Sequence, residues 1–286
     1  MEHVRFEELP TLTRPALVCA FAGWNDGGEA ATTAGTYLRD RWEASKVASL
    51  DPEEFFDFQV TRPTVTLVDG KSRQIDWPAN DFFHASLAQR DVIVFIGIEP
   101  NVRWKTFCGA IVEAAKEMGV ELLVTLGAFL ADVPHTRAAP STASSADPSL
   151  LEHLGSVPSR YEGPTGITGV LHDVAGRNGL PSVSLWAAVP HYLPSGPNPR
   201  AALALVEKVA VALDVSVPTD TLARAAESWE RQVSSMIEEN ADLAAYVKRL
   251  EETADERVEL TEMPSGEALA QELERFLREQ RREGDR

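Results

Sequence analysis

The sequence predicts an α/β protein, with a mostly parallel, twisted sheet covered by helices on both faces and a helical hairpin at its C-terminal end. Three observations predict it. Ala16–Ala22 (ALVCAFA) and Asp91–Ile98 (DVIVFIGI) are apolar throughout, as strands buried on both faces are. Segments of helical spacing separate such runs, at the intervals of βαβ units. From Pro218 onward almost no strand signal remains.

Ala16–Ala22 is the first strand, ending at Gly23. Gly27 to Arg39 places Ala30, Ala31, Ala34, Tyr37 and Leu38 on one helical face. Thr64–Val68 and Arg73–Trp77 flank Asp69 and Gly70, a hairpin signal, and are expected to add antiparallel strands at one sheet edge. Asp91–Ile98 reads as a central strand. Lys105–Met118 is a helix stopped by Gly119, and Glu121–Leu126 is the next buried strand, followed by Gly127. Ala131–Asp147, rich in Pro, Ser, Thr and Ala, reads as a long loop, with a short helix over Ser149–Leu154. The turn Gly163–Gly166 opens a helix through Arg177. Ser182–Val189 is a further strand, and Arg200–Leu213 an amphipathic helix. Thr219–Thr253 reads as one long helical stretch and Ser265–Arg282 as a second helix, with Ser265 as its N-cap. The expected division is an α/β domain over 1–217 and a helical appendage over 218–286.

The 286 residues hold 27 basic and 44 acidic side chains, a formal net charge of −17. Phosphate backbones need a basic face, so nucleic acid is not an expected partner, and neither is an anionic membrane surface. The longest plain apolar run, Val92–Ile98, falls far short of the ~20 residues that span a bilayer. The first residues, MEHVRFEELP, are acidic rather than apolar. The expectation is a cytoplasmic protein. The two cysteines, Cys19 and Cys108, lie in apolar contexts and read as buried thiols rather than a disulfide. The excess charge is uneven: residues 220–286 carry 18 acidic and 10 basic side chains. The appendage is therefore expected to be an exposed, charged surface.

Ligands of an open parallel sheet bind beyond the carboxyl ends of its strands. The residues gathered there are Trp24, Asn25 and Asp26 after the first strand, Glu99 after the second, and Asp132, His135 and Arg137 after the third. His191 follows the last strand, and Thr165 sits in the turn that opens a helix. These form the candidate cleft. Gly23, Gly27 and Gly28 are candidates for holding an anion with backbone N–H groups at a helix N-terminus. The alternative is a tight strand-to-helix turn with Asp26 as N-cap and Trp24 packed beneath it. Asp26, Glu99, Asp132, His135 and His191 are the groups available for acid–base chemistry. No H-x-x-x-H or C-x-x-C spacing occurs, and no metal or cofactor is expected. The sequence also lacks a G-x-S-x-G elbow and a P-loop.

Several segments in this order resemble the PAC2 (proteasome assembly chaperone 2) family, in its actinobacterial branch. They are Phe21–Gly28 (FAGWNDGG), Val94–Pro100 (VFIGIEP), Leu126–Arg137 (LGAFLADVPHTR), Gly163–Ile167 (GPTGI), Ser184–Tyr192 (SLWAAVPHY) and Tyr246–Glu251 (YVKRLE). Ser265–Ala270 (SGEALA) and Glu274–Arg278 (ERFLR) complete the set. The resemblance implies a phosphorylase- or hydrolase-like α/β fold, a homo-oligomer with a trimer among the allowed counts, and protein partners in proteasome-related assembly. On that reading the protein acts through protein contact without catalysis. The alternative is an enzyme, or a binder of a small anion or nucleoside-like molecule, using the strand-end cleft.

Overall fold

The computed structural model describes residues 3–7, 9–156, 159, 161–193 and 196–262, with side chains as far as residue 256. In chain order the elements are β1 (Val4–Phe6), β2 (Ala16–Ala22), α1 (Ala30–Arg41), β3 (Ser45–Leu50), β4 (Thr64–Val68), β5 (Ser72–Asp76), β6 (Asp81–Ser86) and β7 (Asp91–Ile98). There follow α2 (Trp104–Glu117), β8 (Leu122–Ala131), β9 (Ser141–Ser145), α3 (Pro148–His153), α4 (Ile167–Arg177), β10 (Ser182–Pro190), α5 (Pro199–Leu213), α6 (Asp220–Glu238) and α7 (Ala241–Glu262). Gly27–Glu29 form a 3-10 turn before α1.

Eight strands make one sheet in the order β1-β3-β6-β7-β2-β8-β10-β9. The central strands β7, β2, β8 and β10 are parallel, and the outer four join antiparallel. The fold is α/β as expected, with a mixed sheet around a parallel centre. Alternation along β2 divides the core. Ala16, Val18 and Ala20 face a cluster with Leu38 of α1 and Leu205 and Val209 of α5. Leu17, Cys19 and Phe21 face Phe107 and Ile111 of α2 and Leu171 of α4. That two-sided burial is why β2 and β7 read as unbroken apolar runs.

Three expectations about the strands change. The Asp69–Gly70 hairpin forms, with positive φ at both residues and the Lys71 N–H on Val68 O, but β4 and β5 make a separate two-stranded ribbon. The antiparallel strands on that side of the sheet are instead β1, β3 and β6; in β3 and β6, short half-buried sequences and the irregularity between Lys46 and Ala48 blur the alternation. β8 does not stop at Leu126. Gly127 lies opposite Trp186 of β10, and a side chain there would meet the indole ring at 2.6 Å, so the strand continues to Ala131 with the ring in place of a side chain. Within the expected loop 131–147, Ser141–Ser145 pairs with β10 as an edge strand, where polar residues serve well.

Packing divides the chain into one unit through Met236 and another from Ile237, so nearly all of α6 goes with the first. The helical stretch expected over 219–253 is not continuous. It breaks at Glu239 and Asn240, where Asn240 Oδ1 accepts the N–H groups of Asp242 and Leu243 at the start of α7. The helix expected over 265–282, and the hairpin it would complete, lie outside the described residues.

Candidate functional site

The carboxyl ends of β2, β8 and β10 open into a groove of about 1400 Å3. Gly23, Trp24 and Asp26–Glu29 of the strand-to-helix turn line it with Ala128, Ser184 and Trp186, as do Tyr161, Thr165 and, from α6, Trp229, Val233 and Met236. Of the candidate residues, Trp24, Asp26, Thr165, Gly23, Gly27 and Gly28 line it. Asn25, Glu99, Asp132, His135, Arg137 and His191 do not. Trp24 is 65% exposed, so it stands over the turn rather than beneath it.

Each ionisable candidate has a local task. Asp26 Oδ1 accepts the N–H groups of Ala31 (2.7 Å) and Thr32 (3.2 Å), and Oδ2 accepts the Thr32 hydroxyl. It caps α1 across the 3-10 turn, so a carboxylate already occupies the helix N-terminus where an anion would sit. Burial pushes this carboxyl up, against the lowering hydrogen bonds from Thr32 and Ala31. Glu99 ties three segments together. Its Oε1 accepts from Asn25 Nδ2 (3.0 Å) and the Ile167 N–H (2.9 Å), and its Oε2 from the Trp24 N–H (3.2 Å). Gly23 takes φ +134°, and a side chain there would meet Glu99 Cβ at 2.8 Å; the glycine lets the turn close on the carboxylate.

His135 is buried. Its Nδ1 lies 2.8 Å from the Tyr192 hydroxyl and its Nε2 3.0 Å from Ser234 Oγ on α6. His191 Nδ1 pairs with Asp132 at 3.1 Å, outside the groove lining. The Arg137 carbonyl accepts from Arg200 Nη1 at 3.4 Å, which joins the loop to α5. The structure therefore gathers the glycine turn, Trp24, Asp26 and Thr165, and places Asp26, Glu99, His135 and His191 in separate hydrogen-bonded clusters. Among the described residues no group of three or more His, Cys, Asp or Glu is placed to hold a metal ion. Cys19 and Cys108 are free and buried, as expected; burial pushes Cys108 up to about 12 and raises Cys19 as well.

Sequence reasoning missed the residues that give the groove its character. Phe129 and Leu130 belong to the unexpected extension of β8, and Leu130 is 61% exposed. Trp186 follows from the β10 alternation, since its indole N–H donates to Ser184 Oγ, which also accepts from Thr125. His172, also in the lining, hydrogen-bonds Ser182 at 3.0 Å through Nδ1, and burial pushes its imidazole down.

The sequence model of the PAC2 family matches residues 20–237, which span β2 to α6. The chain belongs to the PAC2 family. A PAC2 family protein from Streptomyces avermitilis is 42% identical, with 82% of this chain and 99% of that one covered and a TM-score of 0.75. A proteasome-assembly chaperone homologue from Mycobacterium tuberculosis is also 42% identical, over 81% of this chain and 99% of its own, with a TM-score of 0.75. A second M. tuberculosis protein, of unknown function, is 27% identical with 91% of each chain covered and a TM-score of 0.82. No match is found among the curated proteins. The PAC2 match ends within one residue of the first packing unit, so the groove lies wholly in the family's own region.

Proposed function

We propose that this PAC2-family protein works by protein–protein contact, as a cytoplasmic homo-oligomer in proteasome-related assembly, and not by catalysis. The observation that carries the reading is the make-up of the strand-end edge. Exposed Trp24, Phe129, Leu130, Tyr161 and Met236 surround it, while the acid–base candidates hold separate loops. Exposed aromatic and aliphatic side chains around one groove are a contact surface. The relative described as a proteasome-assembly chaperone homologue supports the setting. The test is co-expression with the proteasome α and β subunits of the same organism, followed by native gels. Co-migration with subunits or half-assembled rings, and faster maturation, is expected. Unchanged maturation with no co-migrating subunit overturns the proteasome setting.

A further inference from the structure

Apart from Val102 and Val211, the exposed large apolar side chains of the described residues fall in two places. One is the groove. The other is the β4–β5 ribbon and its base, with Val60, Val65, Leu67, Val68, Ile75 and Trp77. The ribbon has two unlike faces. Val65 pairs with Ile75 and Leu67 with Arg73, so these four side chains share one face. Thr64, Thr66, Val68, Ser72, Gln74 and Asp76 share the other, polar apart from Val68 at its tip, and there Asp76 accepts hydrogen bonds from Thr66 and Gln74. Alternation of this kind encodes one buried face, yet Val65, Leu67 and Ile75 are each more than half exposed. A two-stranded ribbon on its own is marginal in water. Something must cover it.

The topology sets where it stands. Ser49 pairs with Asp81, and Asp81 with Ile96, so the segment between β3 and β6 leaves and returns at the carboxyl edge of β7. That is the edge on which the groove opens. The base is fixed: Leu50 N–H donates to Asn80 O, Asn80 Oδ1 accepts the Ile98 N–H, and Phe58 packs edge-on against Trp77. From β6 to β8 is three strand spacings, about 14 Å, and no ribbon residue lines the groove.

We propose that the apolar face of the ribbon of one copy seats in the strand-end groove of a second copy. This rests on the reading of the groove as a protein-contact surface and names its occupant. Charge favours a copy of this chain over a foreign protein. Residues 60–77 carry Arg62, Lys71 and Arg73 against Asp69 and Asp76, a net positive piece of a chain at −17. Arg73 sits on the apolar face, whereas the groove lining holds Asp26 and Glu29 and no lysine or arginine. Ribbon and groove are different patches on one chain; in the head-to-tail arrangement proposed here the contact is heterologous and repeats from copy to copy until it closes a ring.

The test is the mass of the full-length protein by light scattering, against a monomer of 31.2 kDa. Wild type is expected to be a closed multimer. Leu67→Asp with Ile75→Asp on the ribbon, and Trp24→Asp in the groove, each yield monomers, and thermal melts verify folding. Mixing the two variants restores one intact contact and gives a two-chain species and nothing larger. Arg73→Glu and Glu29→Arg each weaken assembly by at least tenfold, and the double variant recovers most of the loss. A monomeric wild type, a ribbon variant that keeps the wild-type mass, or a mixture that stays monomeric overturns the proposal. Subunit capture is read on the same samples. Capture by a monomeric wild type overturns the ring alone, and an intact ring without capture leaves the ring standing and removes the proteasome setting.

Discussion

Two aspartates show how local surroundings decide what a residue does. Asp26 is a capping carboxylate in a nearly buried place, and burial raises its pKa. The folded state therefore binds its proton more tightly than the unfolded chain does, and this stabilisation is complete below the ordinary aspartate value of 3.8 and is lost as pH rises through the raised pKa. Asp26→Asn keeps the Oδ1 acceptor and removes the charge. Urea melts over mildly acidic to neutral pH are expected to lose that slope in the variant; an unchanged slope counts against it. Asp91 runs the other way. Burial pushes it up, but hydrogen bonds from the Thr13 N–H (2.5 Å), His84 (2.8 Å) and Ser86 together outweigh burial and hold the carboxyl low. Its contribution is present above 3.8 and lost as pH falls through the lowered value. Asp91→Ala leaves the Thr13 N–H and His84 without their partner and is expected to cost about 2–3 kcal/mol at neutral pH, read by denaturant melts.

Elements differ in how much of them the sequence reveals. β2 and β7 match their expected bounds because both faces are buried, which turns each into an unbroken apolar run between polar ends. β3, β6 and β9 are hidden for opposite reasons: the first two are short and irregular, and β9 is a serine-rich edge that pairs only because β10 supplies the ladder. The site is legible in the same uneven way. The glycine turn is local and readable, and so is Asp26 as a cap. The match between Gly127 and Trp186 joins residues far apart in sequence, as does His135 with Ser234, and no spacing announces either. Gly127→Ala drives a methyl group into the indole ring and is expected to destabilise by about 1–3 kcal/mol, measured by thermal melts, while Trp186→Ala alongside it relieves part of the clash. Asn240→Ala removes the one oxygen that accepts both N–H groups at the start of α7 and is expected to cost about 0.5–2 kcal/mol, seen as lost helical circular dichroism on heating.

At the scale of the whole molecule, the densest acidic stretch of the sequence and most of the exposed apolar side chains of the described residues fall in different parts of the chain, Met236 of α6 excepted. Residues 220–286 are strongly acidic, whereas exposed apolar side chains of the described residues concentrate on the ribbon and around the groove. Mean composition hides this, since 44% hydrophobic residues is ordinary for a soluble chain. Only topology puts the ribbon base and the groove on one sheet edge. Seating a ribbon over Trp24 shields that indole, so dilution below the assembly midpoint is expected to increase acrylamide quenching of tryptophan emission. Trp24→Phe removes the share of that increase that comes from Trp24 and leaves the shares of Trp77 on the ribbon base and of Trp186 and Trp229 in the groove. Equal quenching at all concentrations would place Trp24 outside any interface.

Cys19 on β2 and Cys108 on α2 give the protein a built-in clock. Both sulfurs are sealed in the same aromatic half of the core and are held as unreactive thiols by burial. A disulfide reagent in solution therefore reaches them only when that layer separates. Each exchange leaves a mixed disulfide on the cysteine and releases one coloured thiol, so the rate of colour release from native protein reads how often β2 and α2 part, with no residue substituted.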